Sequence, residues 1–164
     1  MRALTDGERD LLDSARRAVL ATIAPAGRPR LVPVCFVWFD AAAGDAGPVV
    51  YTPLDAKPKR VADPHRLARV RDILARPDVS VLVDRWDEDW ASLGWLRLGG
   101  QARLIEPDAE ATRADRDLAL AALLAKYPQY ADHDLGSRPL IRITVTDASS
   151  WGDLDGQADR RTAR

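Results

Sequence analysis

Lys57, Lys59 and Arg60 fall within four residues in the stretch DAKPKR, between the apolar run VVYTP and a segment with helical spacing. Three cations this close repel one another, and an anion relieves the repulsion. The stretch follows an expected strand end and precedes Asp63 and Pro64, which can open a helix. Free N–H groups and the positive end of a helix dipole would add to the side chains there. Phosphate suits such a place, because arginine grips its oxygens in pairs. The plain alternative is a solvated basic loop.

Aromatic and acidic groups cluster further on. Trp86, Trp90 and Trp95 lie within ten residues, interleaved with Asp84, Asp87, Glu88 and Asp89. Indoles can wall an interface or a pocket for a flat ligand, or fill a core. The acids read as a solvated loop rather than a catalytic pair. Cys35 stands in VPVCFVWF, between Val34 and Phe36, and reads as a buried core thiol rather than a nucleophile. Strand alternation puts it with Pro33 and Val37, opposite Val34, Phe36 and Trp38. No Cys/His spacing suits a metal, and neither a nucleophile elbow nor a phosphate-binding P-loop is present. The two histidines, His65 and His133, sit among polar residues and read as surface groups.

These residues must be positioned by a chain of 164 residues with a formal net charge of −1. The length suits one domain, and the charge argues against general nucleic-acid binding. The charged N-terminus has no signal-peptide core, and no apolar run approaches a membrane span, so a cytoplasmic protein is expected. Thr5, with Glu8 three residues on, predicts a capped opening helix. Strands over about 18–24 and 30–40 predict a hairpin turning at PAGRP, with Gly27 free to take a positive φ. Pro33 predicts a sheet edge or bulge. VVYTP, VSVLVD, WLRLGGQARLIE and PLIRITVTDASSWG read as further strands, with a bulge at Gly99–Gly100. Asp63 and Pro64 open one helix, with Leu67, Val70 and Leu74 as its apolar stripe and Pro77 as its end. A second clear helix lies between Pro107 and Pro128. Residues 153–164 read as a polar tail, expected to be disordered. About six strands in hairpin clusters and three helices predict a mainly β, α+β domain over 1–152: an antiparallel barrel or sandwich with flanking helices.

The order of VLATIAPAGRPRLVPVCF, VYTPLDAKPKR, the stretch from RVRDILARPDVSVLVDRWDEDW to LIE, and KYPQYADHDLGSRPLIRITVTDASSWG resembles a known group. It is similar to the pyridoxamine 5′-phosphate oxidase-like split β-barrels, and within them to the F-420-dependent oxidoreductases. The likeness covers about residues 8–152. It implies a split β-barrel homodimer with two cofactor sites at the interface, each drawing on both chains. It implies an oxidoreductase that moves a hydride to or from a small molecule with the deazaflavin F-420, or alternatively FMN. Lys57, Lys59 and Arg60 match the family's cationic stretch and would hold the cofactor phosphate. Val32, Pro33, Val34 and Cys35 would run beside the ring, and Trp86, Trp90 and Trp95 would wall it. Arg66, Arg69 and Arg71 are further cations for the acidic tail of F-420. A non-catalytic flavin, deazaflavin or tetrapyrrole carrier on the same fold is the alternative function. A nucleotide-stacking barrel is a third, weighed down by the net charge. In a cofactor enzyme the absence of a triad or metal site is expected, because the cofactor carries the chemistry.

Replacing Lys57 and Lys59 together by Ala is expected to weaken F-420 or FMN binding about tenfold or more, since charge-assisted hydrogen bonds are worth roughly 1.5–3 kcal/mol each. A fluorescence titration with unchanged affinity would reject a phosphate role for these lysines.

Overall fold

The computed structural model describes residues 1–41, 47–54, 63–152 and 154. Helix α1 (Asp6–Ser14) starts at the expected cap: the Glu8 N–H donates to Thr5 Oγ1 at 3.3 Å, and the Thr5 N–H donates to the Glu8 carboxylate at 2.9 Å. Glu8 is 1% exposed and also accepts from Arg2 Nη1 at 2.7 Å. The Arg2 hydrogen bond is the main cause that pulls its carboxyl down to about 2. The chain then runs through β1 (Ala18–Ile23), β2 (Pro29–Val34), β3 (Val37–Phe39), β4 (Val49–Pro53), α2 (Ala68–Ala75), β5 (Asp78–Arg85), β6 (Gly94–Ile105), α3 (Arg113–Lys126) and β7 (Leu140–Gly152). Gly27 turns the β1–β2 hairpin at φ 78°, as its position predicts.

All seven strands join one antiparallel sheet in the order β2-β1-β5-β6-β7-β4-β3. Its two edge strands, β2 and β3, are consecutive in the chain, with only Cys35 and Phe36 between them. Three Cα steps span at most about 11 Å. The sheet must therefore curl until its edges nearly meet, which makes the split barrel.

This crossing corrects the single strand expected over 30–40, and it raises the count from about six strands to seven. The physical reason is visible at Phe36. Its N–H donates to the Tyr127 hydroxyl at 2.9 Å, and that hydroxyl donates to the Phe36 carbonyl at 2.8 Å. A side chain takes both peptide groups that a ladder would have used. Pro33, which cannot donate, sits on the edge strand as expected. The alternation survives the break. Val32, Val34 and Trp38 pack on the barrel core with buried Phe36, while Cys35 joins Val37 in the cluster under α3. Cys35 is half-buried rather than fully buried.

The bulge lies where the glycine pair predicts it, between Gly99 and Gly100. A Cβ on Gly100 would run into the Thr144 carbonyl of the neighbouring strand. The core fills the inside of the curl with Leu20, Val81, Val83, Leu96, Leu98, Ile141 and Ile143, all 1% exposed or less. A second cluster forms outside, where Ala119, Leu123, Tyr127 and Tyr130 from α3 and the turn after it cover Val37, Val49, Tyr51 and Leu140.

Helix α2 departs from its expected stripe. A 3-10 turn over Pro64–Arg66, capped by Asp63, precedes a fresh start after Leu67. The buried spacing becomes Leu67, Val70, Ile73, and Leu74 is left 65% exposed. Asp72 of α2 is buried and accepts from Thr22 Oγ1 at 2.8 Å and Arg30 Nε at 2.7 Å, fastening the helix to the first hairpin. In the expected tail, Leu154 is 5% exposed and packs over Gly94, and its neighbours lie outside the described residues. Among the described residues no helix is long and apolar enough to cross a membrane.

Tyr127→Phe is expected to cost roughly 2–6 kcal/mol, because it leaves two buried peptide groups of Phe36 without a partner at about 1–3 kcal/mol each. Urea denaturation reads this directly. A loss below about 1 kcal/mol would mean that the crossing does not depend on the phenol.

Candidate functional site

The expected site residues fall at three places. The first is the edge formed by β2. Val32 and Val34 turn into the barrel, Pro33 is exposed, and Cys35 packs under α3. Their side chains share no common surface, so what this stretch offers a flat ring is backbone. Among the described residues β2 is paired on one side, to β1, and an edge leaves peptide groups open.

The second place is the basic stretch. Lys57, Lys59 and Arg60 lie outside the described residues, but both flanks are defined. Pro53 pairs with Leu140, which pairs with Ile105 at the end of β6, and buried Leu54 follows. On the other flank, His65 Nε2 lies 2.9 Å from Glu106 Oε1, just past the same end of β6. The Glu106 carboxylate raises the His65 pKa above its ordinary value. Asp63 accepts from the His65 N–H at 2.9 Å and so opens the turn as the sequence predicts. Of the further cations, Arg66 and Arg71 are exposed and Arg69 is half-buried.

The third place is the far end of β6. Trp95 lies opposite Trp151 of β7 in the sheet register. Trp86 and Trp90 follow β5 at 75% and 81% exposure, and Trp151 is 55% exposed. Trp151 was not among the expected site residues. No local pattern in the sequence marks it, because only the β6–β7 register sets it beside Trp95. The acidic loop is solvated, as expected: Asp89 accepts from the Ala91 N–H at 3.0 Å, Asp87 from the Asp89 N–H at 2.8 Å, and both are exposed.

Among the described residues the tryptophans and the flanks of the basic stretch lie apart along β6. Ten residues of strand separate Trp95 from Ile105, a rise of roughly 30 Å. The tryptophan end of β6 and the Leu54 and Asp63 flanks of the basic stretch stand at opposite ends of that strand.

The outer face of β2, β1 and β5 has an apolar patch, bordered by exposed Arg97 of β6. Across β2, β1 and β5, one register row carries Pro33, Val19 and Leu82. Pro33 is exposed, Val19 and Leu82 are half-buried, and Leu31 beside them is 64% exposed. Among the described residues no group of acids, histidines and cysteine could hold a metal.

A family model described as pyridoxamine 5′-phosphate oxidase matches residues 4–152. The chain belongs to that family. Solved structures agree on the fold of the pyridoxamine 5′-phosphate oxidase family. A conserved hypothetical protein of Mycobacterium tuberculosis aligns at TM-score 0.64 and 19% identity, over 95% of this chain and 89% of its own. A FAD-binding protein of Mesorhizobium loti aligns at 0.58 and 23%, over 91% and 95%. An F420 reductase aligns at 0.58 and 20%, over 89% and 98%. No curated protein matches the chain.

Trp86 and Trp90 are too exposed to hold the fold. Replacing either by Ala is expected to change stability by less than about 0.5 kcal/mol. A loss above 2 kcal/mol in chemical denaturation would place them in a packed core instead.

Proposed function

We propose that this chain is an oxidoreductase that uses F-420, or alternatively FMN, to move a hydride to or from a small molecule. It acts in the cytoplasm as a homodimer with both cofactor sites at the interface. The observation that carries this reading is the placement of the exposed indoles and of the flanks of the basic stretch at opposite ends of β6. Two copies packed through the apolar outer face of β2, β1 and β5 can bring the basic stretch of one beside the indoles of the other. Family membership supports the cofactor class, as do the FAD-binding and F420 reductase structures of the same fold.

The residues of this chain suit a flat, anionic cofactor. The open peptide groups of β2 suit the polar rim of a ring. The exposed indoles suit its face. Lys57, Lys59 and Arg60 suit its phosphate. When bound, the cofactor supplies the hydride chemistry; the chain binds it, orients it and keeps water from it.

Titration of the purified protein with F-420 and with FMN, followed by absorbance and fluorescence, tests the reading. Binding of one at micromolar concentration with turnover of a reducible substrate supports an enzyme. Binding without turnover across a substrate panel favours the carrier, and no binding rejects the cofactor class. Sedimentation is expected to give a dimer at micromolar concentration, and a monomer would reject the two-chain site.

A further inference from the structure

The chain carries 24 lysines and arginines, of which only Lys57, Lys59 and Lys126 are lysines. Lysine offers something arginine does not, an amine that can lose its proton.

Lys126 ends α3, and it lines a cavity of about 400 Å³ between α1, β3 and α3, with Asp13, Val37, Trp38, Ala122 and Ala125. Its Nζ donates to the Leu12 carbonyl at 3.0 Å, an orphan acceptor in the last turn of α1. It also stands 4.3 Å from the centre of the Phe36 ring and 5.9 Å from that of Tyr127. The Leu12 bond uses one N–H and survives deprotonation, so it holds the amine in place and leaves its lone pair free.

We propose that Lys126 is a carbonyl-capturing amine, at which a small aldehyde with a flat apolar body condenses from the cavity. The aldehyde carbon forms a C=N bond to Nζ, and the carbonyl oxygen leaves as water with two hydrogens from the ammonium nitrogen and its proton pool. The protonated imine keeps one N–H for Leu12. Val37, Ala122 and Ala125 supply the apolar walls for such a body, and Trp38 a flat one. Trp38 itself is held, with its Nε1 donating to Asp13 Oδ1 at 2.7 Å.

The charged and titratable groups around Lys126 are Asp13 and Arg16 at the end of α1, Cys35 between β2 and β3, and Tyr127 beside it. Burial outweighs the two acids among these and brings the ammonium down to about 8. Part of the amine is then neutral and nucleophilic near pH 7.5, where an exposed lysine is almost wholly protonated.

The test is reductive labelling of the full chain with sub-stoichiometric benzaldehyde and cyanoborohydride, which delivers hydride to the imine and fixes it as a secondary amine. Peptide mass mapping is expected to find Lys126 labelled about tenfold faster than Lys57 or Lys59 at pH 7.5. The rate at Lys126 is expected to level off above a midpoint near pH 8. Lys126→Arg, whose guanidinium can still donate to Leu12, is expected to lose this fast label with its thermal unfolding unchanged. Labelling spread evenly over the three lysines, labelling that spares Lys126, or a midpoint above about pH 10 would each overturn the proposal. All three of these outcomes are read on the unaltered chain.

Discussion

The Tyr127 hydroxyl accepts the Phe36 N–H and gives its own proton to the Phe36 carbonyl. This pair of bonds sits where the chain leaves one edge of the sheet and joins the other. Phe36 is wholly buried, so neither peptide group has water to turn to. Burial raises the pKa of the phenol, which keeps the proton it donates. Without such a partner the two edges would not be joined by so short a crossing, and the sheet could stay open. The barrel, its core and the position of α3 all follow from that closure.

Other buried polar groups fasten the layers in the same way. Asp72 ties α2 to the first hairpin through Thr22 and Arg30. Arg116 of α3 is 6% exposed and donates to the carbonyls of Leu135, Gly136 and Arg138, which holds the turn leading into β7. Arg142 of β7 and Tyr51 of β4 both donate to Asp115 of α3. Each places a helix on the barrel by direction rather than by apolar area alone. Such bonds specify one arrangement among many that a hydrophobic surface would accept.

The same closure decides what is left outside. The strands that curl inward bury their aliphatic face and present Leu31, Pro33 and the terminal indoles outward. It also sends the two ends of β6 to opposite ends of the barrel. The exposed indoles and the acidic loop therefore stand at one end of β6 and the flanks of the basic stretch at the other.

Much of the fold is legible in the sequence where the cause is local. The capping box of Thr5 and Glu8, the positive φ of Gly27, the edge placement of Pro33 and the bulge at Gly99–Gly100 each depend on a few adjacent residues. Strand alternation around Cys35 is equally local, and it holds across the break. The basic stretch at 57–60 is legible as chemistry for the same reason, since charge density needs no partner element. What lies further apart in sequence is decided by tertiary structure. The split of residues 30–40 comes from Tyr127, ninety-one residues from Phe36. Ile73 displaces Leu74 because the 3-10 turn resets the helix phase before α2. Trp151 meets Trp95 only through strand register. The surroundings of Lys126 likewise come from α1, the β2–β3 crossing and α3. Local sequence sets which conformations and charges are available; burial and pairing between distant segments decide which of them end up facing one another.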